Sequence, residues 1–572
     1  MKILLFFFFA FFMVNTYSQL TPFEQSGGMQ TATYKEAIAF YTKLAAASGI
    51  VSVKSIGSSD AGYPLHLVLI SADGRFNTAD WHRQKKVVIL INNGIHPGEP
   101  DGIDASMLLL RDFVSKKIIL PQNVTLAIIP VYNIGGALNR NSSTRVNQNG
   151  PLAYGFRGNS QNLDLNRDFT KNDSKEAKTF ATIFHALNPD IFIDNHVSDG
   201  ADYQHTMTLI ATQYEKLGPF GNFLQKSFEP ALYKGMSAKG WDMIPYLDFE
   251  TLDFNKKMLL FNDPPRYSTG YAALFNTIGF MPETHMLKPF KQRVAATYDL
   301  MRTMVSEAGI MAKQILAERA AAKAALLQQK EFALSWQPDT TSFTTINFKG
   351  YKQQYSTSAA TGLQKLYFDT TQKFTAPIKF VNTYRPKTVV TKPVAYIIPA
   401  GWQAVIERLA LNNVIMQRIL SDTMISVKAY RIESFKSFPT PYESHHKNYN
   451  VQVSSSLLTK QFLKGDVIVY VNQAANKYLV EMLEPTGDDS FFAWNFFDGI
   501  LQQKEGYSAY RWEELAAEEL KNNPTLQQKL NDKKAADKNF ASDAPAILDF
   551  IHKNSKYYEA AHMAYPVYRM ED

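Results

Sequence analysis

Short apolar runs alternate with helix-like stretches between about residues 33 and 312. The run VVILI at 87–91 is apolar and mostly β-branched, which is typical of a strand buried on both faces. Further short runs of this kind lie at 125–131, 190–194 and 206–210. The alternation predicts an α/β domain with a mixed, mostly parallel sheet and helices on both faces. In such sheets the reactive side chains lie in loops after the carboxyl ends of strands.

The composition changes after this region. Residues 311–334 are rich in Ala, Lys, Gln and Glu and contain neither Gly nor Pro, which predicts a long helix. Strand-like composition follows to about residue 391, and helical runs are expected at 402–420, 474–483 and 512–557. The predicted division of the chain is a catalytic domain at 33–315, a helical connector at 316–334 and a C-terminal α+β domain at 335–572.

The N-terminus has the pattern of a secretory signal peptide. Lys2 precedes an apolar run at 3–14, which is too short to span a bilayer comfortably, and cleavage after Ser18 is expected. No cysteine follows, so the lipoprotein form of anchoring is excluded. No later stretch reaches about 18 apolar residues, so no stable membrane insertion is expected. The sequence therefore predicts a secreted or periplasmic protein.

Composition narrows the kinds of site that this chain can form. Cysteine is absent, which excludes disulfides, cysteine nucleophiles and thiolate metal sites. A metal would therefore be bound by His, Asp or Glu. The net charge of +7 comes without a dense basic run, so a nucleic-acid partner is not expected.

Three candidate metal ligands follow predicted strands. His96 and Glu99 stand in HPGE, directly after the run at 87–91, and the Pro and Gly between them favour a turn over a helix. His196 ends the motif IDNH, directly after another apolar run. Each residue alone has an ordinary structural explanation, but together they form the three-ligand set that a catalytic zinc requires, with one position left for water.

Two further motifs carry charged groups suited to peptide chemistry. In DLNR, Asn166 and Arg167 place a planar cation beside an amide, and a guanidinium binds a carboxylate through two parallel hydrogen bonds. Asp164 in the same motif could orient a metal-bound histidine. Glu283, in GFMPETHM after the apolar run at 277–281, could serve as general base to a metal-bound water.

HPGE, DLNR, the lone histidine and the strand-end glutamate, in this order, resemble the zinc carboxypeptidases of the carboxypeptidase A type. The resemblance covers about residues 33–315. It implies that one Zn²⁺ per chain is bound by His96, Glu99 and His196, that Glu283 is the general base, and that Asn166 and Arg167 anchor the substrate's terminal carboxylate.

The resemblance also implies an arginine that stabilises the oxyanion and a mobile tyrosine over the substrate. Arg157 fits the first role by a spacing similar to that of the cytosolic carboxypeptidase branch, and Arg145 is the second choice. Tyr267 fits the second role best, with Tyr271 as the alternative. The segment after the third ligand, HVSDGADYQH, departs from the pattern of the digestive enzymes, so substrate specificity does not carry over.

The resemblance implies an exported zinc metallocarboxypeptidase that acts on peptides with a free C-terminal carboxylate. Two alternatives remain at this point. One is a zinc amidohydrolase of N-acyl amino acids, similar to the aspartoacylase branch, which shares these motifs. The other is a catalytically silent peptide-binding protein on the same scaffold, against which the full ligand set and Glu283 argue.

Overall fold

A computed structural model describes residues 19–247 and 256–571. The predicted signal peptide at 1–18 lies outside these residues. None of the helices described combines the length and the apolar character needed to cross a bilayer. The chain divides into two compact units, the first formed by Met1–Lys392, Glu407–Ile415 and Val471–Met482, and the second by Pro393–Ile406, Met416–Tyr470 and Leu483–Asp572. The predicted limits at 315 and 335 both fall inside the first unit.

Within the described residues, the first unit contains fourteen strands, numbered in chain order. They are β1 (Val51–Ser58), β2 (Pro64–Ser71), β3 (Val87–Asn92), β4 (Val124–Ile129), β5 (Ile191–Asp194), β6 (His196–Ser198), β7 (Met207–Ala211), β8 (Ile244–Pro245), β9 (Met258–Leu259), β10 (Ile278–His285), β11 (Glu331–Pro338), β12 (Thr344–Thr357), β13 (Gln364–Val381) and β14 (Tyr384–Thr391).

Nine of these strands form one mixed sheet. Its order is β1-β2-β4-β3-β5-β10-β7-β8, and β6 pairs with the end of β10. The central pairs β4–β3, β3–β5, β5–β10 and β6–β10 are parallel, whereas β1–β2, β2–β4 and β7–β10 are antiparallel. Every residue of β3, β4, β5 and β10 is buried, as the apolar runs predict. The predicted fold class, a mixed and mostly parallel sheet with packed helices, is confirmed.

The helices of this part of the chain pack on the sheet and on one another. They are α1 (Pro22–Gln25), α2 (Tyr34–Ala47), α3 (Thr78–Arg83), α4 (Asp101–Val114), α5 (Ile134–Leu138), α6 (Lys175–Leu187), α7 (Pro219–Phe223), α8 (Glu229–Ser237), α9 (Ser268–Leu274), α10 (Phe290–Ile310) and α11 (Ala312–Gln328). Short 3₁₀ turns at Leu165–Arg167 and Tyr214–Leu217 and a π turn at Leu224–Phe228 complete the set.

The helix predicted at 311–334 is too long at its C-terminal end. Helix α11 ends at Gln328, and the residues from Glu331 onwards form β11. In β11 the apolar side chains Phe332 and Leu334 alternate with more exposed residues, and the strand pairs with β14. Because alternate side chains are buried and the backbone hydrogen bonds are made to β14, these residues form a strand although the composition of the preceding residues is helical.

The rest of the chain forms smaller elements. The strands are β15 (Ala395–Ile398), β16 (Gln417–Arg418), β17 (Thr423–Ser437), β18 (Asn448–Phe462), β19 (Val467–Tyr470) and β20 (Tyr568–Met570). They form one sheet in the order β16-β19-β15-β20-β17-β18, which confirms an additional mixed α and β region. The helices are α12 (Gln403–Leu411), α13 (Asn476–Leu483), α14 (Ala509–Asn522), α15 (Pro524–Ala536), α16 (Lys538–Ala541) and α17 (Ala544–Lys553).

The helix expected at 402–420 is shorter than predicted. Helix α12 ends at Leu411, and Asn413 has a φ of 57°, in the left-handed region that commonly terminates a helix. The remaining residues of the predicted helix include the short strand β16. The helical prediction for the C-terminal tail is confirmed by α14 to α17.

Candidate metal and peptide site

The order of strands brings the predicted ligands together. Strands β3, β5 and β10 lie side by side and parallel, so their carboxyl ends share one edge of the sheet. His96 and Glu99 lie in the loop after β3, where the Glu99 amide donates to the His96 carbonyl at 2.8 Å to close a turn. His196 begins β6 directly after β5 and pairs in register with Glu283 of β10. Glu283 therefore lies within its strand rather than after it.

His96, Glu99 and His196 form the candidate metal centre. Each offers a ligand atom, and these atoms lie within 4.8 Å of one another on buried side chains. The His96 Nδ1 lies 3.3 Å from the Glu99 carboxylate, and the His196 Nδ1 lies 3.1 Å from it. Among residues 19–247 and 256–571, the buried His96 Nδ1 has no hydrogen-bond partner. A buried ring nitrogen without a partner, beside a carboxylate and a second imidazole, fits a divalent metal such as zinc.

Two aspartates fix the orientation of the imidazole rings. The His96 Nε2 lies 2.9 Å from Asp164, and the His196 Nε2 lies 3.1 Å from Asp194. A carboxylate that accepts the Nε2 proton leaves the Nδ1 lone pair free for a metal. The contact of Asp164 agrees with its predicted role, whereas sequence reasoning missed Asp194. Its only signal was its position two residues before His196, in IDNH.

Glu283 is a buried carboxyl group at the edge of the centre. Its side chain borders a cavity, and its Oε2 atom has no hydrogen-bond partner within the part of the chain that the structure describes. Burial raises the pKa of Glu283 to about 8, and the nearby Glu99 carboxylate also raises it. The positive charges of His196 and Arg157 act in the opposite direction. A carboxyl group in this environment can both accept and return a proton near neutral pH.

Both candidate arginines for the oxyanion lie at the centre. Arg145 donates to the Glu99 carboxylate at 3.0 Å and to Gln148 at 2.6 Å. Arg157 contacts Asp164 through its Nε and its terminal nitrogen, at 3.0 and 2.9 Å, and lies 3.6 Å from Glu99. A Cβ at Gly98 would lie 2.6 Å from the Arg145 side chain, so the glycine of HPGE leaves the space that Arg145 fills.

The predicted carboxylate anchor lies beside one of the two candidate tyrosines. The Arg167 guanidinium lies 4.1 Å from the centre of the Tyr267 ring and borders the same cavity as the metal centre. The buried Asn166 Oδ1 has no hydrogen-bond partner among the described residues. Tyr271 is fully buried, and its hydroxyl donates to Asn412 at 2.7 Å, away from the cavity lining.

One cavity of about 470 Å³ joins the metal centre to the anchor. It is bordered by the predicted residues His96, Glu99, Arg145, Arg157, Asn166, Arg167, His196, Tyr267 and Glu283. The lining residues that sequence reasoning missed are Thr144, Val146, Asn147, Val197, Ser198, Ile210, Tyr246, Phe261, Met281 and Met286. They are mostly apolar or small residues, which carry no sequence signal of a site.

Tyr246, Phe261 and Tyr267 form a continuous aromatic wall of this cavity. The ring centres of Tyr246 and Phe261 are 5.7 Å apart, and those of Phe261 and Tyr267 are 6.3 Å apart. The segment after His196 contains two acidic residues; Asp199 lines the cavity, whereas Asp202 pairs with Lys288 at 2.8 Å. The wall ends at Arg167, so apolar and cationic surfaces meet where the anchor is expected.

Sequence comparisons find proteins that are similar to this chain. The zinc carboxypeptidase family model matches residues 38–190 of the chain. Carboxypeptidase 2 of Trichophyton rubrum is 21% identical over 486 residues, covering 82% of this chain and 84% of that protein.

The similar solved structures include two bacterial metallo-carboxypeptidases. The structure from Burkholderia cenocepacia has a TM-score of 0.36 and 16% identity, and covers 49% of this chain and 70% of that one. The structure from Pseudomonas aeruginosa, in complex with (2-guanidinoethylmercapto)succinic acid, has a TM-score of 0.36 and 13% identity, and covers 50% of this chain and 70% of that one. The family match over residues 38–190 and the His-Glu-His set, which could hold a metal ion, make this part of the chain similar to the zinc carboxypeptidases.

Proposed function

We propose that this protein is an exported carboxypeptidase that removes residues from the C-terminal end of peptides by attack of water on the last peptide bond. The observation that carries the proposal is a single cavity that brings three kinds of group together. It contains the candidate metal ligands and the arginine Arg167, which is suited to a terminal carboxylate. It also contains the buried Glu283, whose Oε2 has no hydrogen-bond partner among the described residues. Export rests on the signal-peptide pattern at 1–18.

The proposed metal ligands are His96 and His196 through Nδ1, together with the Glu99 carboxylate. When bound, zinc lowers the pKa of its water and polarises the scissile carbonyl. Asp164 and Asp194 hold the two rings in the tautomer that leaves Nδ1 unprotonated. All three candidate ligands are buried side chains that border the cavity.

Glu283 is proposed to act as the general base. It takes a proton from the attacking water and then returns it to the leaving amine. The environment that raises its pKa favours this exchange, because the protonated and ionised forms are then close in free energy near neutral pH. Arg157 is proposed to donate hydrogen bonds to the oxyanion, with Arg145 as the second candidate, since both border the cavity.

Asn166 and Arg167 are proposed to bind the substrate's terminal carboxylate. A fixed anion site at one end of the cavity determines which peptide bond reaches the metal centre, and so makes the enzyme an exopeptidase. Tyr267 lies against the Arg167 guanidinium and can cover the bound C-terminal residue. The expected partner is therefore a peptide with a free C-terminal carboxylate, and no nucleic acid is expected.

The roles of Glu283 and His196 are tested by a pair of variants. Glu283→Gln should lower kcat on a tripeptide by about 100-fold or more, the lower range for loss of a general base, and should keep its zinc. His196→Ala should lose most of its zinc, because two ligands remain of three. Elemental analysis and steady-state kinetics of both proteins measure this. Near-normal turnover by Glu283→Gln, or full zinc in His196→Ala, would contradict the assignment.

A further inference from the structure

Strands β12 and β13 form a long antiparallel hairpin in the first unit, which we call the clasp hairpin (Thr344–Thr357 and Gln364–Val381). Its far end is largely exposed, whereas Phe348 and Phe380 near its base are buried. The base lies against two segments that lead directly into the cavity lining. These contacts connect the clasp hairpin to segments that border the cavity.

The first segment is the loop after β6, which begins with the cavity residue Asp199. The Gln204 amide donates to the Lys349 carbonyl at 3.0 Å. The Gln204 side chain donates to the Gly350 carbonyl at 2.8 Å and to the Phe374 carbonyl at 3.0 Å. One glutamine thus joins this loop to both strands of the hairpin.

His205, the next residue, extends the same connection. Its Nε2 accepts a hydrogen bond from the Lys349 amide at 3.0 Å, so its Nδ1 carries the proton and donates to the Asp242 carbonyl at 2.7 Å. Burial lowers the pKa of His205, which keeps the ring neutral as this pairing requires. The ring therefore links the hairpin to the chain just before Tyr246 of the aromatic wall.

The second segment contains β9. This strand pairs in parallel with the end of β13, and the Leu260 amide donates to the Val381 carbonyl at 2.8 Å. The Tyr384 hydroxyl donates to the Leu260 carbonyl. Phe261 of the aromatic wall follows immediately, so its backbone is held by the hairpin at the preceding residue.

A buried apolar cluster joins the clasp hairpin to both segments. Its members are Tyr203, Ile244, Leu247, Leu260, Phe348, Ile378, Phe380 and Tyr384. Ile244 and Leu260 each lie within two residues of a member of the aromatic wall. Close packing transmits the position of one side chain to its neighbours, so the cluster fixes the wall as well as the loops.

We propose that the clasp hairpin positions the aromatic wall and thereby determines how tightly the C-terminal residue of the substrate is held. Gln204 is the principal positioning residue, because it makes three hydrogen bonds to the hairpin and lies outside the cavity lining. The substrate in this inference is the one named under the proposed function, on which the inference rests. The candidate metal ligands and Glu283 belong to β6, to β10 and to the loop after β3, so we expect the chemical step to be independent of the hairpin.

The test is Gln204→Ala in the full chain, with Gln372→Ala as the matched control. Gln372 is an exposed residue of the same hairpin, and its side chain donates to Asp369 of that hairpin at 2.8 Å. For Gln204→Ala we expect the KM for a tripeptide to rise about 10-fold, because the variant loses one or two hydrogen bonds that position a binding surface. The kcat should stay within about twofold of the parent value. Zinc content should not change, and the control should match the parent protein.

Hydrogen exchange gives a readout that does not depend on activity. Backbone amides at 256–267 should exchange faster in Gln204→Ala than in the parent protein or in Gln372→Ala. Unchanged KM and unchanged exchange would overturn the inference, as would a loss of zinc or an equal effect of both variants. If the parent protein cleaves no peptide, the proposed function fails, whereas the exchange measurement still decides whether the hairpin positions the wall.

Discussion

Asp194 contacts the Nε2 of His196, whereas the Nδ1 of the same ring faces Glu99. The Asp194 carboxylate lies 3.1 Å from the His196 Nε2 and accepts a second hydrogen bond from the Asn92 side-chain Nδ2 at 3.0 Å. The aspartate is fully buried, so its own position is fixed by these contacts. A ring oriented in this way presents Nδ1 to a metal without a rotation on binding.

Replacing Asp194 should therefore weaken zinc binding without removing a ligand. For Asp194→Ala we expect the Kd for zinc to rise about 10- to 100-fold, the usual effect of losing a carboxylate behind a metal-bound histidine. Competition with a chelator of known affinity measures this. Asp202→Ala is the control, since Asp202 pairs with Lys288 instead. Equal zinc affinity in both variants would show that Asp194 does not support the ligand.

At the scale of residues, the grouping of the three candidate ligands was predictable, and their surroundings were not. His96, Glu99 and His196 were found because each is a polar residue directly after a buried apolar run. Asp194 ends such a run, and its function depends on the orientation of a neighbouring ring, which no spacing encodes. Tyr246 and Phe261 are aromatic residues in irregular segments, where composition does not distinguish a cavity wall from a core.

Helix α4 contains a buried carboxyl group that holds the segment leading into α2. Asp104 accepts hydrogen bonds from the Thr31 hydroxyl at 2.5 Å and from the Ala32 amide at 3.2 Å. Burial raises the pKa of Asp104 from 3.8 to about 7, although these two hydrogen bonds lower it. The folded protein therefore binds this proton more tightly than the unfolded chain does.

This shift predicts a pH dependence of stability. The contribution of the Asp104 proton is fully present below about pH 3.8 and is lost as the pH rises through about 7. Asp104→Asn has no ionisable group at this position. The melting temperature of this variant minus that of the parent protein should therefore be greater at pH 8 than at pH 5. Thermal unfolding at both pH values measures this, with the exposed Asp532→Asn as control. A difference independent of pH would contradict the prediction.

At the scale of elements, buried strands were predictable to within a few residues, and helix ends were not. Strands β3 and β5 coincide with apolar runs because both faces are buried, which leaves a continuous signal. The ends of α11 and α12 were misplaced because helical composition continues into residues that pair in sheets. Pairing with distant strands overrides local propensity at these positions.

At the scale of the whole chain, the candidate site follows from the order of strands in the large sheet. β3, β5 and β10 are far apart in sequence, yet they are neighbours in space, and this order makes one site of three separate motifs. The sequence indicated the motifs, but the pairing of strands depends on contacts between distant residues. The same reason explains why the first unit extends to Lys392 and includes two later segments of the chain.

We propose that the metal centre and the anchor act together on the free C-terminal end of a peptide. The most direct measurement compares the acid and the C-terminal amide of one peptide as substrates. Amidation removes the charge and one acceptor oxygen facing Arg167, and a hydrogen bond to a charged group contributes about 1.5–3 kcal/mol, so kcat/KM should fall about 10- to 100-fold.

Arg167→Ala should remove most of this discrimination by slowing cleavage of the acid alone, whereas Arg302→Ala, at an exposed position of α10, should keep it. Strong preference for the acid in the parent protein and its loss in Arg167→Ala is the result that we predict. Equal rates on acid and amide by the parent protein would contradict the proposed role of Arg167 and indicate an endopeptidase or an amidohydrolase instead.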